Sequence, residues 1–165
     1  MLIEMNLAGV RIELPSNQPI VLLRETGGAR YLPIWIGQPE AAAIAMVLQG
    51  VTSPRPMTHD LLRDVLEALG VAVTNVSITE LRDGTFYAVI GMTRDGSAHE
   101  VSARPSDAIA LAVRLGCKIL VADEVLSEAS ILLPDGEGEG ETPEVNEEVE
   151  RFREFLEEIE PEDFS

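Results

Sequence analysis

The sequence predicts an α+β domain in which helices cover a largely antiparallel or mixed sheet. Two observations carry that expectation. Strand-like segments come in threes joined by tight turns. Each trio leads into a twelve-residue helical segment with proline at its front and glycine at its back, "PEAAAIAMVLQG" at 39–50 and "PSDAIALAVRLG" at 105–116. The element order is then meander, helix, helix, meander, helix.

The elements follow from local pattern. Leu2 to about Leu14 reads as a strand, and "PSNQP" turns the chain. "IVLLRE" and "ARYLPIWIG" flank Gly27-Gly28, a hairpin turn because glycine tolerates positive φ. After the first Pro-to-Gly helix comes "THDLLRDVLEALG", where Leu61, Leu62, Val65, Leu66 and Leu69 form an apolar helical stripe. "VAVTNVSITEL", "TFYAVIGM" and "SAHEVSA" are strands separated by Asp83-Gly84 and Asp95-Gly96, and "KILVA" is a short strand after the third helix. Aligning Pro39 with Pro105 pairs Ala42 with Ala108, Val47 with Val113 and Gly50 with Gly116, which suggests an internal duplication of the meander-helix unit.

Several strands are apolar on both faces. In "YLPIWI", Leu32, Ile34 and Ile36 oppose Tyr31 and Trp35, and in "FYAVI", Phe86, Ala88 and Ile90 oppose Tyr87 and Val89. The second face needs a cover, either an intervening helix or another subunit. A homodimer or higher homo-oligomer with a contact at or near 31–36 or 85–91 is therefore expected, with Trp35 as an anchor.

Length and composition bound the rest. A chain of 165 residues suits one domain with a real core and an appendage. No apolar run approaches the length of a membrane span and no leader pattern is present, so a cytoplasmic location without membrane contact is expected. The single cysteine, Cys117, cannot form an internal disulfide and reads as a core residue. The net charge is −17, unevenly spread: residues 134–165 hold 14 acidic and 2 basic side chains, residues 1–133 hold 15 and 10. With Lys118 its only lysine, the body lacks the basic footprint of a nucleic-acid binder.

Two polar clusters precede helices: "PRPMTHDLLRDVL" at 54–66 and "SARPSDAIALAVR" at 102–114. Thr58 and Ser106 are placed to cap, and Asp60 and Asp107 fall in first turns, where negative charge meets the helix dipole. Capping explains the hydroxyls and acids. It does not explain Arg55 and Arg104, cations ahead of helix N-termini, which need an aspartate or a bound phosphate as partner.

"YLPIWIGQPEAAAIAMVLQG", "RPMTHDLLRDVLEALG", "DGTFYAVI" and "ARPSDAIALAVR", in this order, closely resemble the bifunctional nuclease family, in particular actinobacterial-type members with an acidic C-terminal tail. The resemblance covers about Met1 to Leu133. It implies an α+β domain, often self-associated, with activity on both DNA and RNA. Two departures stand out: Ser102 occupies a position that is usually acidic, and an acidic tail stands where some members carry a small basic helical hairpin.

Hydrolysis of a phosphodiester commonly uses clustered carboxylates to hold Mg²⁺ or Mn²⁺, which activates water and neutralises developing charge. Glu40, Asp60 and Asp107 are the candidate ligands, although no recognised metal-ligand spacing joins them. Asp107, Asp60 and His59 are the candidate catalytic groups, His59 as general base or ligand. Arg104, Arg55 and Ser106 are the candidate phosphate-binding groups. No organic cofactor is expected. The competing reading is a non-catalytic, self-associating binding or regulatory module that holds an anion or a partner; the negative charge favours it.

Residues 1–133 are thus read as the nuclease-like domain, 134–142 as a flexible acidic Gly/Glu linker, and 143–165 as an acidic amphipathic helix. Thr142-Pro143 should open that helix and Pro161 should end it. Val145, Val149, Phe152, Leu156 and Ile159 form a stripe that should dock on its own domain, a neighbouring subunit or a separate partner.

Overall fold

A computed structural model describes residues 1–13, 15–134 and 143–158. The first meander is β1 (Leu2–Glu13), β2 (Gln18–Glu25) and β3 (Arg30–Trp35), followed by α1 (Gln38–Leu48) and α2 (Thr58–Ala68). The second is β4 (Ala72–Arg82), β5 (Thr85–Arg94) and β6 (Ser97–Ala103), followed by α3 (Pro105–Leu115) and β7 (Lys118–Ala122). A short helix α4 (Asp123–Ala129), a two-residue strand β8 (Ile131–Leu132) and α5 (Pro143–Glu158) complete the chain. This is the expected α+β class.

All eight described strands join one sheet in the order β6-β5-β4-β7-β1-β2-β3-β8. Each meander keeps its own hairpin order, and β7 is the seam between them. It pairs antiparallel with β1, Ile3 opposite Val121, and parallel with β4, Val76 opposite Ile119. The sheet is therefore mixed at this one seam and antiparallel elsewhere. Asp83 and Gly84 both take positive φ, 51° and 76°, the conformation that a two-residue hairpin turn requires.

Helices α1 and α3 pack against each other and on the sheet, α1 over β1 and β2, α3 over β4, β5 and β7. Ile44, Ile109 and Leu111 meet Val10, Val21, Leu23, Leu32, Ile78 and Val121 in a core from which all nine side chains are excluded from solvent. Gly116 ends α3 at φ 67°, which a β-carbon would strain.

Both faces of the sheet are indeed covered at β2 and β3, since the neighbours Leu22 and Leu23, and Tyr31 and Leu32, are all buried within the chain itself. Arg24 covers Tyr31, its guanidinium carbon 5.7 Å from the ring centroid. The argument from two-sided strands to a subunit contact therefore loses its force at Tyr31. Trp35 stays 51% exposed.

The acidic helix docks on its own domain. Val145 and Val149 are buried in the main core, α5 packs on α1 and β1, and Gln49 donates to Asn146 at 2.7 Å. Phe152 is half-buried and stacks with the exposed Phe155. The expected linker from residue 135 on, the Thr142 cap, the Leu156 side chain, Ile159 and the Pro161 stop lie outside the described residues. No helix among the described residues is long and apolar enough to cross a membrane.

Candidate functional site

The first turns of α1, α2 and α3 bring their polar residues together. Arg104, the residue ahead of α3, donates from Nε to Asp107 at 2.8 Å and from Nη2 to Glu40 of α1 at 3.0 Å. Nε2 of His59, near the start of α2, lies 2.9 Å from the other oxygen of Asp107. Glu40, Arg104, Asp107 and His59 thus form one connected cluster drawn from three helices. Helix starts are where this chain can place them: prolines at 39 and 105 fix the entry, and acids in the first turn suit the dipole.

The hydroxyls do not cap. Met57 and Arg104 occupy the N-cap positions of α2 and α3, and neither Thr58 nor Ser106 makes a capping hydrogen bond. The capping work at α2 falls to Asp60, which accepts the Met57 backbone N–H at 3.0 Å. Ser106 is 6% exposed, and its hydroxyl has no hydrogen-bond partner among the described residues.

Asp60 faces away from the cluster. Its second oxygen accepts from Arg114 at 2.8 Å, and Arg114 also donates to the carbonyls of Ala110 and Ala43 at 2.9 and 3.1 Å. The Arg114 side chain is 5% exposed, so one buried guanidinium ties α1, α2 and α3 together. Sequence reasoning missed it. The available signal was spacing: Arg114 lies seven residues after Asp107, two helical turns along the same side of α3. Arg55 is exposed on the connection before α2 and joins no hydrogen bond or ion pair among the described residues. His99 sits on the exposed strand β6 and takes no part.

Electrostatics follow from these contacts. Burial alone would raise the Asp107 carboxyl, but hydrogen bonds from His59 and Arg104 outweigh it and hold it below the usual aspartate value. Asp60 is likewise lowered: burial pushes it up, and Arg114 and the Met57 N–H more than compensate. Arg104 is raised, first by its hydrogen bond to Asp107 and then by Glu40. Burial pushes the Cys117 thiol up, which makes it a poor nucleophile.

The carboxylates expected to hold a divalent ion already have partners. Among the described residues no group of three or more His, Cys, Asp or Glu side chains could hold a metal. The Arg104 guanidinium stands between Glu40 and Asp107, and Asp60 is committed to Arg114. What the cluster offers instead is an oriented imidazole beside a guanidinium whose Nη1 donors have no partner among the described residues. Arg104 is 66% exposed, so those donors can reach an anion.

An open cavity of about 310 Å³ adjoins it, lined by Arg104, Pro105 and Ser106, by Trp35 and Gly37 at the end of β3, and by Gly84 to Phe86 at the β4–β5 turn. A second, of about 480 Å³, lies between α1 and the 51–56 connection, with Asp60, Arg63 and Arg114 in its wall.

Comparison with known proteins gives the family. The chain is 52% identical over 162 residues to an uncharacterized protein of Mycobacterium tuberculosis, covering 98% of this chain and 97% of that one. It is 31% identical over 106 residues to Bifunctional nuclease 1 of Oryza sativa subsp. indica and 29% identical over 112 residues to Bifunctional nuclease 2 of Arabidopsis thaliana. Those matches cover 62% and 64% of this chain but only 31% and 33% of the plant proteins. The sequence pattern described as Bifunctional nuclease domain matches residues 21–134, a span that holds every residue of the cluster, and the chain belongs to the bifunctional nuclease domain family.

Proposed function

We propose that this protein hydrolyses phosphodiester bonds of DNA and RNA at the His59–Asp107–Arg104 cluster. The observation that carries the reading is the orientation of His59. With Nε2–H donated to Asp107, Nδ1 keeps its lone pair and can take a proton. DNA has no 2′-hydroxyl, so a single route common to DNA and RNA uses another nucleophile, here water. His59 removes the proton of the attacking water as its oxygen bonds to phosphorus. The bond to the leaving sugar oxygen breaks, and that oxygen takes a proton from solvent. Arg104 holds the phosphate through Nη1 and stabilises the charge that develops on it. Ser106 adds a hydroxyl donor beside it. Asp107 orients the imidazole and steadies it once protonated.

In this reading Glu40 positions Arg104, Asp60 is structural, and Arg55 contributes only attraction at a distance. Mg²⁺ or Mn²⁺ is not needed at the cluster, since a metal would have to displace Arg104. The test is cleavage of a DNA and an RNA strand by highly purified protein, beside a matched Asp107→Ala preparation, each with EDTA, Mg²⁺ or Mn²⁺. Cleavage that persists in EDTA and vanishes in the variant supports the reading. Equal cleavage by variant and parent would falsify it.

A second reading has its own support. Both carboxylates around Arg104 already neutralise it, and the chain's charge of −17 repels polyanions. A cytoplasmic homo-oligomer that binds an anion or partner at this rim without turnover would show ligand binding and no cleavage in the same assay.

A further inference from the structure

We infer that the cavity between Trp35, Phe86 and Arg104 is a nucleobase subsite, and that the substrate is an unpaired strand whose base stacks on Trp35 beside the phosphate held by Arg104. The inference rests on the nuclease reading and deepens it.

Four observations lead there. Trp35 lines the cavity and is 51% exposed, so part of a large apolar side chain is left without cover. Its indole is oriented by the hydrogen bond that Nε1 donates to Glu13 at 2.8 Å. Phe86 lines the same cavity from the β4–β5 turn, giving the pocket a second aromatic wall. Ser106, nine-tenths buried and without a side-chain partner among the described residues, lines it as well and offers a hydroxyl to a base edge or phosphate. The volume, about 310 Å³, falls within the range of small-molecule sites.

Charge makes the aromatic contact necessary. Proteins that bind nucleic acid through phosphate contacts use clustered cations, and affinity then falls steeply with salt. Here Arg104 is offset by Glu40 and Asp107, and the whole chain is at −17. Long-range electrostatics oppose a polyanion, so affinity must come from short-range contact. Stacking supplies it and requires a base free of its duplex.

Trp35 is the only tryptophan, so indole fluorescence reports this subsite alone. The full chain is titrated with a short phosphorothioate oligothymidylate, which resists cleavage, and with the abasic strand of equal length. Strand anisotropy is followed in parallel. Thymidylate should quench Trp35, the abasic strand should bind about 5- to 150-fold more weakly, and Trp35→Ala should lose a comparable factor that Trp35→Phe largely restores. Thymidylate affinity should hold or rise as salt is added. Abasic binding as tight as thymidylate, or a strand that binds without disturbing Trp35, overturns the subsite while leaving the nuclease reading intact. A change of light-scattering mass in Trp35→Ala assigns Trp35 to a subunit contact and also overturns it. Quenching by thymidylate together with absent cleavage of the unmodified strand keeps the subsite and removes the nuclease reading.

Discussion

Nε2 of His59 and Oδ1 of Asp107 stand 2.9 Å apart, a contact between α2 and α3 that spans 48 residues of sequence. Asp107 is shared, because its other oxygen accepts from Arg104. Replacing it with the isosteric amide keeps an acceptor for His59 but removes the charge that steadies an imidazolium. Asp107→Asn should therefore lower cleavage about 100-fold or more, the scale of general-base catalysis, with an unchanged circular dichroism spectrum. A variant that cleaves at the parental rate places the chemistry elsewhere.

Arg114 should matter for stability as Arg104 does not. Truncating Arg114 leaves the partly buried Asp60 without its charge partner and removes the side-chain donor that the helical carbonyls of Ala110 and Ala43 share across α1 and α3. Arg114→Met is expected to cost about 3–5 kcal/mol in urea unfolding, and Arg104→Met, at a 66% exposed side chain, about 0–1 kcal/mol. Equal effects of the two substitutions would contradict the assignment of one to the scaffold and the other to the site.

Acid should undo the same scaffold. Asp60 and Asp107 both titrate below the ordinary aspartate value in the folded chain. Each contributes stability that is present above its unfolded value, about 3.9, and is lost as pH falls through its folded value. Thermal midpoints should therefore fall steeply below about pH 4, and Asp60→Asn should flatten part of that limb. A parental acid limb in Asp60→Asn would mean that the carboxylate contributes no such linkage.

The sequence made the meanders and the three Pro- or Thr-led helices legible because each is specified locally, by turn glycines, period-two alternation and helical stripes. Glu40, His59, Arg104 and Asp107 are legible only as polar residues at separate helix starts, and their hydrogen bonds need the packing of α1 and α2 against α3. Three features had no local signal. β7 takes the seam because of register between distant strands. α4 and β8 are too short for a periodic pattern. Arg114 reads as an ordinary basic residue near a helix end until Asp60 and Ala43 are brought to it. The capping role expected of Thr58 passed to Asp60 at α2, and that expected of Ser106 is not filled by a side chain at α3, because each helix begins one or two residues earlier than a hydroxyl cap would allow.

Self-association now has a better candidate surface than the two-sided strands. Along α2, Leu61, Val65 and Leu69 recur at four-residue spacing and are 55%, 44% and 52% exposed. Three large apolar side chains on one helical face favour a partner surface. Light scattering at micromolar concentration should give a mass above the monomer, and Leu61→Glu with Leu69→Glu should shift it to the monomer with helix content unchanged. A monomeric parent counts against the expectation.

The acidic helix should have two separable effects. Deleting residues 134–165 removes Val145 and Val149 from the core, each worth about 1.5–3 kcal/mol when fully buried, so the truncated chain should unfold at lower urea. The deletion also removes 14 acidic and 2 basic side chains. α5 begins beside Gln49, just past the C-terminal end of α1, whereas Glu40 stands in the first turn of that helix. Eleven residues of α-helix span about 16 Å, so the start of α5 does not cover the Arg104 rim. Screening lengths shrink from about 30 Å at 0.01 M salt to about 8 Å at 0.15 M. Strand affinity should accordingly rise on deletion at low salt and converge with the parent at high salt. Replacing the exposed Glu150, Glu154 and Glu157 with Gln should reproduce part of the low-salt gain while Val145 and Val149 remain docked and stability holds. Unchanged low-salt affinity in both variants would remove any restraining role for the tail, and a gain in the deletion alone would trace it to loss of the docked helix rather than to charge.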